Sequence, residues 1–496
     1  MNRHLACCVL AAATALVTVS ACSRSDSVDP ATTGAVAALA ATPKAKCGPG
    51  SRPESGIQGR VSAADQASGL AEQGITCNTE LVGSYIVPNA IGTVGGFKVE
   101  RYTDAAGHDC AYYDTTFIYP TNILDETAGV NVLDMADPTH PALTTSLTTP
   151  AMLSPHESLV VSKQRGVMAA VLGNPAFGPG VVDVYDISQD CRHPVWKSTS
   201  LTGVLGHESG MSPDGKTFYS ASPGTPTLTA IDISNTASPA ILAILPYASH
   251  GLSLSADGNR AYLAAVGVPG AACAYALTCD VPDPNQDRAL IILDVSEIQA
   301  RKPNPKVHEI SRLTWPSMTI PQNAIPFTQK GHPYLLEIDE FARGGLPGTG
   351  LPGFVGAGRI IDIGDETHPK VISNLRLEVH NPENFAAIAN DPGAAFLGQG
   401  YAGHYCNVST RVDPTIVACS MILSGLRVFD IRDVYHPKEV AYFNAPQYPR
   451  ITPVLVQSNY AMASPSFVPE RKEIWYSDVY SGFYAVRVTN GAWPSN

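Results

Sequence analysis

Short stretches of alternating apolar and polar residues recur along most of the chain. A clear copy lies at residues 425–443, where GLRVFD leads into a turn containing Pro437 and a second alternating stretch follows. Alternation with a period of two predicts half-buried β-strands, and Asp and Pro are typical of the turn between them. No long helical period occurs after residue 100. The pattern therefore predicts an all-β chain.

The same unit, an apolar stretch that ends in Asp and is followed by Pro, occurs six times. Successive Asp residues are 46 to 68 positions apart, the period of a four-stranded propeller blade with loop insertions. We expect each carboxylate to accept backbone N–H bonds of the turn that follows it. The six residues are Asp134, Asp186, Asp232, Asp294, Asp362 and Asp430.

A seventh unit near the C-terminal end has only three candidate strands, at residues 459–468, 473–478 and 482–488. Residues 79–85 resemble the fourth strand of the other units but precede the first unit. Pairing this segment into the last blade would remove both free sheet edges. We therefore predict a seven-bladed β-propeller over residues 79–490, closed by an N-terminal strand that completes the last blade.

The repeated unit, three apolar residues, Asp, Ile or Val and Ser with a trailing Pro, resembles the LVIVD repeat of exported bacterial proteins. The resemblance covers roughly residues 80–490. It departs from the pattern at Met135 and Ala136 in the first unit and at Gly364 in the fifth. It implies a β-propeller architecture and no particular activity.

The N-terminal 46 residues are predicted to lie outside the fold. Arg3 precedes an apolar run at residues 5–19, and small residues lead to Cys22, as in a lipoprotein signal peptide of residues 1–22. The alternative is an ordinary secretory signal with a chance Cys. Residues 23–46 are Ala-, Thr- and Ser-rich and predict a flexible tether. We expect an exported lipoprotein, facing the periplasm or the cell exterior, that contacts the membrane only through its anchor.

Eight cysteines follow Cys22, and an even number in an exported chain favours disulfides. Cys406 and Cys419 flank a turn and would lie across two antiparallel strands, whereas Cys273 and Cys279 would close a short loop. The pairing of the remaining four stays open. They are Cys47 and Cys77, which bracket a lead-in at residues 47–78, and Cys110 and Cys191.

Histidine recurs at two positions of the repeat. The turn histidines precede the repeat Pro and are interpreted as structural: they are His140, His193, His368 and His436. The channel histidines open the first strand of four units: they are His156, His207, His250 and His404. First strands line the axis of a propeller, so these four imidazoles should converge at one end of the channel. They predict a site for a transition metal, Fe, Cu or Zn.

Glu157 and Glu208 each follow a channel histidine and are expected to orient it or to bind the metal. Asn323 holds the equivalent position in the fifth unit. The alternative interpretation is that repeat ancestry alone places histidine there. Four-His propeller sites in carotenoid-cleaving oxygenases and selenium-binding-type thiol oxidases are a fold-level analogy.

Other chemistry has less support. The loop at residues 280–287 carries Asp280, Asp283, Asn285 and Asp287, which are candidates for Ca²⁺ or simply a solvated acidic loop. Neither a G-x-S-x-G elbow nor an H-E-x-x-H pair occurs, which argues against serine hydrolase and zinc protease chemistry. The net charge of −12 comes without a basic stripe, so a nucleic-acid partner is not expected.

Two functions remain. The first is an anchored propeller that acts as a binding or scaffold protein for a protein or small-molecule partner. The second is a metal-dependent oxidoreductase that uses the channel histidines.

Overall fold

The computed structural model describes residues 40–87, 93–116, 128–173, 179–223, 226–266, 288–343, 354–394, 399–447 and 458–495. Seven sheets form the blades of a β-propeller, as predicted. Strands A to D run outward from the axis in each blade, and the A strands of neighbouring blades contact one another. The channel is therefore lined by the A strands.

The blades follow one another along the chain. Blade 1 contains Val99–Thr103, Asp109–Asp114, Val130–Asp134 and Ala142–Leu147. Blade 2 contains Val160–Ser162, Val167–Val171, Gly180–Asp186 and Val195–Val204. Blade 3 contains Glu208–Met211, Thr217–Ala221, Leu228–Asp232 and Ala240–Leu245. Blade 4 contains Ser249–Leu254, Arg260–Ala265, Ala289–Asp294 and His308–Leu313.

The remaining blades carry additions. Blade 5 contains Ile320–Gln329, His332–Glu340, Gly358–Asp362 and Lys370–Leu375, and a two-stranded ribbon of Ala342–Arg343 and Phe354–Val355 follows its B strand. Blade 6 contains Tyr405–Val408, Ile416–Ser420, Leu426–Asp430 and Lys438–Asn444. Blade 7 contains Ser466–Val468, Glu473–Asp478, Gly482–Val488 and Thr79–Ile86. The helices are short: Ala63–Ala67, Leu70–Gln73, Pro150–Leu153, Ser296–Gln299 and Phe385–Ile388, with 3₁₀ turns at Glu378–His380, Pro382–Asn384 and Pro469–Arg471.

The ring closes through the N-terminal strand, which confirms the prediction. Thr79 pairs with Val488 and Ile86 pairs with Gly482, in antiparallel register. Gly83 lies at a bulge where a Cβ would come within 2.2 Å of the Pro138 carbonyl oxygen in blade 1. Only glycine permits this close contact between the last blade and the first.

The six repeat Asp residues have the predicted role. Each is the last residue of a C strand, and its Oδ1 accepts the backbone N–H two residues later at 2.8 to 3.0 Å. The carboxylate thus holds the turn between strands C and D. It has no part in the channel.

The lead-in adds a strand that the sequence did not predict. Ile75–Cys77 pairs with the D strand of blade 6, and a disulfide joins Cys77 to Cys47. Before it, the Thr42 N–H donates to the Arg376 carbonyl oxygen at 2.8 Å. Residues 40–46, the described part of the predicted tether, therefore pack on the propeller.

Two further disulfides link Cys406 to Cys419, as predicted, and Cys110 to Cys191. Three disulfides are typical of a protein from outside the cytoplasm. Cys22, Cys273, Cys279 and the 280–287 loop lie outside the described residues. Within the described ranges, no helix has the length and apolar character needed to cross a bilayer.

Candidate metal centre

The channel histidines all lie at the start of A strands. His156 precedes the A strand of blade 2, His207 that of blade 3 and His404 that of blade 6, while His250 is the second residue in blade 4. Their side chains are only 1% to 13% exposed. His156 has a φ of 52°, a left-handed conformation that costs a non-glycine residue about 1–3 kcal/mol.

Glu157 lies at the centre of the channel histidines. Its carboxylate oxygens are 3.2 Å from His404 Nε2, 3.3 Å from His207 Nε2, 3.6 Å from His250 Nδ1 and 3.8 Å from His156 Nε2. Four imidazoles from four blades therefore face one buried carboxylate.

Glu340 supplies a second carboxylate. It ends the B strand of blade 5, and its oxygens are 3.2 Å from His250 Nε2 and 3.4 Å from His404 Nε2. Two other acids of this strand, Glu337 and Asp339, pair with the buried Arg359 instead. Of the three acids, only Glu340 contacts channel histidines.

The donor spacing fits a single small cation. His207 Nε2 and His250 Nε2 are 3.1 Å apart. His250 also contacts Glu340, Glu340 contacts His404, His404 contacts Glu157, and Glu157 contacts His207. These five side chains form a closed ring with separations of 3.1 to 3.4 Å. Two donors about 2.1 Å from one metal, at angles of about 90–110°, are roughly 3.0–3.4 Å apart. Neighbouring donors in the ring therefore have the separation of two ligands of one metal, and donor atoms that all lie within 4.8 Å of one another occur in two groups of three: His156, Glu157 and His207, and Glu157, Glu208 and His250.

Several donor atoms are buried without a hydrogen-bond partner among the described residues. They are Nε2 of His404 and Oε2 of Glu157, which face other members of the ring, and Nδ1 of His156, His207 and His250, whose Nε2 atoms make the closer contacts given above. In contrast, His404 Nδ1 lies 2.7 Å from the Met462 carbonyl oxygen, to which it can only donate. This bond leaves the lone pair of neutral His404 on Nε2, facing the carboxylates, as in metal-binding histidines.

The electrostatics suit a cation as well. Burial alone would raise the pKa of Glu157, but His250, His156 and His207 hold that pKa well below its ordinary value. Burial opposes protonation of His404, yet the negative charges of Glu157 and Glu340 beside its Nε2 raise its pKa to about 9. The two carboxylates thus attract positive charge into a largely buried site.

A second polar layer lies beside this cluster. Glu208 Oε1 is 3.1 Å from Lys98 Nζ and also accepts from Asn323 Nδ2. Lys98 in turn lies over the Tyr405 ring, 4.1 Å from its centroid. Glu208 and Asn323, both singled out from the sequence, therefore contact each other rather than a channel histidine. Lys98 was not predicted, because it belongs to no repeated pattern.

Among the described residues, another cluster of histidine and carboxylates lies near the Cys110–Cys191 disulfide. His108 Nδ1 lies 2.8 Å from Asp104 and 3.7 Å from Asp190. Asp104 already accepts backbone N–H bonds from Ala106 and His108 and another from Cys191, and Asp190 binds Arg192. The carboxylates of this cluster already have partners within the protein, so the cluster is a weaker candidate for a metal site.

No protein-family model and no curated protein sequence matches the chain. Among solved structures it is similar to the periplasmic gluconolactonase of Pseudomonas aeruginosa, with 13% identity, a TM-score of 0.43 and coverage of 75% of this chain and 94% of that one. It is similar to Kuenenia stuttgartiensis hydrazine synthase, with 12% identity, a TM-score of 0.47 and coverage of 80% and 98%. The β-propeller domain of Cps50 from Myceliophteria thermophila gives 11% identity, a TM-score of 0.48 and coverage of 82% and 98%. Similarity at this level carries no information about activity.

Proposed function

We propose that the propeller binds one transition-metal ion at the channel histidines together with Glu157 and Glu340, and that it is a metal-dependent oxidoreductase. The observation that carries the proposal is the convergence of four imidazoles from four blades on one buried carboxylate, where each imidazole keeps one nitrogen without a hydrogen-bond partner among the described residues. Buried polar groups normally have partners, so a ligand is the simplest explanation.

The donor set favours iron or copper. Structural zinc sites are closed by four ligands, whereas this site offers six side chains, the four channel histidines with Glu157 and Glu340. Iron and copper both bind imidazole and both change oxidation state. When bound, such an ion supplies redox or Lewis-acid chemistry, and the surrounding side chains hold it in a site shielded from water.

Metal analysis of the purified mature chain tests the proposal. After chelation and reloading with Fe²⁺, Cu²⁺ or Zn²⁺ in turn, we expect about one ion per chain for at least one metal. His207→Ala/His250→Ala should lose that ion, whereas the turn pair His140→Ala/His436→Ala should keep it. Substoichiometric metal in the wild type, or equal metal in both double variants, would contradict the site.

A second candidate function is that of a binding or scaffold protein. The observation in its favour is a set of exposed apolar side chains on the D strands of blades 2 and 3: Trp196 is 56% exposed, Leu201 70%, Ile241 45% and Ile244 55%. Exposed apolar patches commonly mark docking surfaces. Light scattering tests this role. We expect the wild type to self-associate or to capture a partner. The variant Trp196→Ser/Leu201→Ser should lose that property and keep its metal content.

Attachment to the membrane through lipidated Cys22 is also a proposal. The disulfides support an exported location, and the LVIVD resemblance points the same way. Radiolabelled palmitate should mark the wild-type chain in the membrane fraction. Cys22→Ser should be unlabelled and soluble, and a labelled Cys22→Ser chain would disprove lipidation at this residue.

A further inference from the structure

A cavity of about 750 Å³ lies on the propeller axis. Each of the seven blades contributes to its lining, for example through Lys98 in blade 1, Leu252 in blade 4 and Ser464 in blade 7. At one end its lining includes Pro213, Asp257 and Val412, which belong to the A–B hairpins. The cavity thus follows the A strands from that face of the propeller toward the channel histidines.

The cavity ends beside the candidate metal centre. Lys98 and Asn323 belong to its lining, and both bind the carboxylate of Glu208. An oxygen of Glu208 lies within 4.8 Å of donor atoms of Glu157 and His250. Glu208 is therefore in contact with the cavity lining on one side and close to the metal donors on the other.

The walls are mainly apolar, and the charges on them cancel. Leu159, Val160, Met211, Leu254, Ile325 and Phe327 provide aliphatic and aromatic surface. The charged lining residues are two bases, Lys98 and Arg411, and two acids, Glu100 and Asp257. Cavities of about 300–1,000 Å³ with apolar walls and a few polar groups are typical of sites for small organic ligands.

We propose that this cavity binds an uncharged, largely apolar organic molecule with a hydroxyl or amine group at one end. The polar end lies at Lys98 and Asn323, and the apolar body lies along the walls toward the A–B hairpins. The balanced lining gives no preference for an ion, and Lys98 and Asn323 supply polar side chains at the end near the metal donors. That this molecule is the substrate of the metal centre rests on the proposed oxidoreductase function.

The test uses N-phenyl-1-naphthylamine, an uncharged aromatic amine that becomes fluorescent in apolar sites. Chelator-treated wild type should bind it saturably. Met211→Trp and Val160→Trp, in two different blades, should each abolish this binding because both residues are partly buried in the cavity wall and a larger side chain fills the space. The matched control Leu81→Trp, on the exposed outer strand of blade 7, should bind the probe as the wild type does.

A second measurement links the cavity to the metal. Cu²⁺ added to the probe complex should quench the fluorescence of the wild type and leave that of His207→Ala/His250→Ala unchanged. Circular dichroism checks that each variant is folded. Two cavity-filling variants are used so that the test still stands if one of them does not fold. Absence of saturable binding, or binding that both filling variants retain, overturns the cavity proposal whatever the metal result. Cu²⁺ that binds without quenching overturns only the substrate role, and Cu²⁺ that fails to bind overturns the metal centre.

Discussion

The turn histidines and the channel histidines occupy two positions of the same repeated unit but differ in where their partners come from. His140, His368 and His436 each place Nδ1 2.9 to 3.1 Å from an Asp three residues earlier, on the exposed rim. The channel histidines are buried, and their carboxylate partners include side chains from other blades. A turn histidine has its partner, an Asp, within the same turn, so the repeated turn structure is enough to explain why it is there. One that keeps a buried ring nitrogen without a partner after folding has capacity left for a ligand.

His380 shows that burial alone does not separate the two classes. It is fully buried, its Nδ1 accepts the Leu377 N–H at 3.1 Å and its Nε2 donates to the Tyr401 carbonyl oxygen at 2.8 Å. Both nitrogens are satisfied by backbone groups, so this histidine has no capacity left for a metal. The open ring nitrogens, rather than low exposure, distinguish the channel set.

The largest expected effect is on stability in the presence of metal. A ligand at 100 times its dissociation constant stabilises the folded state by about 2.7 kcal/mol. Chemical denaturation with and without the bound metal should show this gain in the wild type and in His140→Ala/His436→Ala. The gain should vanish in His207→Ala/His250→Ala. An equal gain in all three proteins would place the metal elsewhere and remove the distinction between the two sets.

A second prediction concerns stability in acid and depends on His380, whose two ring nitrogens are both hydrogen-bonded. Burial and the nearby charge of Arg376 lower the pKa of His380 to about 3. Between that value and about 6.5 the unfolded chain binds a proton that the folded chain does not, so stability falls as pH falls in this window. From pH 7 to pH 5 the loss should be about 2 kcal/mol.

Denaturant unfolding at the two pH values measures that loss. His380→Gln cannot titrate, and its amide can still donate to the Tyr401 carbonyl oxygen, so its loss should be smaller by about the same amount. Its metal content should match the wild type. Equal pH dependence in the two proteins would show that His380 is not held neutral, and lost metal would show that satisfied nitrogens do not exclude a metal role.

A third prediction compares two carboxylates. Glu157→Gln removes the central charge but keeps the shape, and it should weaken metal binding by about 10–100-fold. Asp137→Asn makes the same change beside the turn histidine His140 and should leave metal binding unchanged. Competition with a chromogenic chelator measures both. Wild-type affinity in Glu157→Gln would remove Glu157 from the metal centre.

The smallest expected effect is at the turns. His436→Ala removes an exposed contact to Asp433 and should cost less than about 1 kcal/mol, as for other exposed pairs. Differential scanning calorimetry measures the change, with His368→Ala as the matched variant in another blade. A loss of several kcal/mol in both would mean that the turn histidines hold the blades together.

Local periodicity predicted most of the fold. Strand alternation, the Asp at each C-strand end and the incomplete seventh unit were sufficient for the blade count and the closing strand, because each is written in a short stretch of chain. Cys406 and Cys419 were paired correctly for the same reason, since they face each other across one hairpin. The Cys110–Cys191 disulfide spans 81 residues and two blades, and no local signal specifies it.

The candidate metal centre also has one part that the sequence predicts and another that only the tertiary structure shows. The sequence by itself determined that four histidines occupy one repeat position, because repeated strands place equivalent residues at one end of the channel. Only the tertiary structure decided three contacts: Glu340 with the channel histidines, Asp339 with Arg359, and Lys98 with Glu208. These contacts join residues from different strands, and most of them cross from one blade to another. Which side chains meet at the axis depends on how the ring closes, and that is a property of the whole chain.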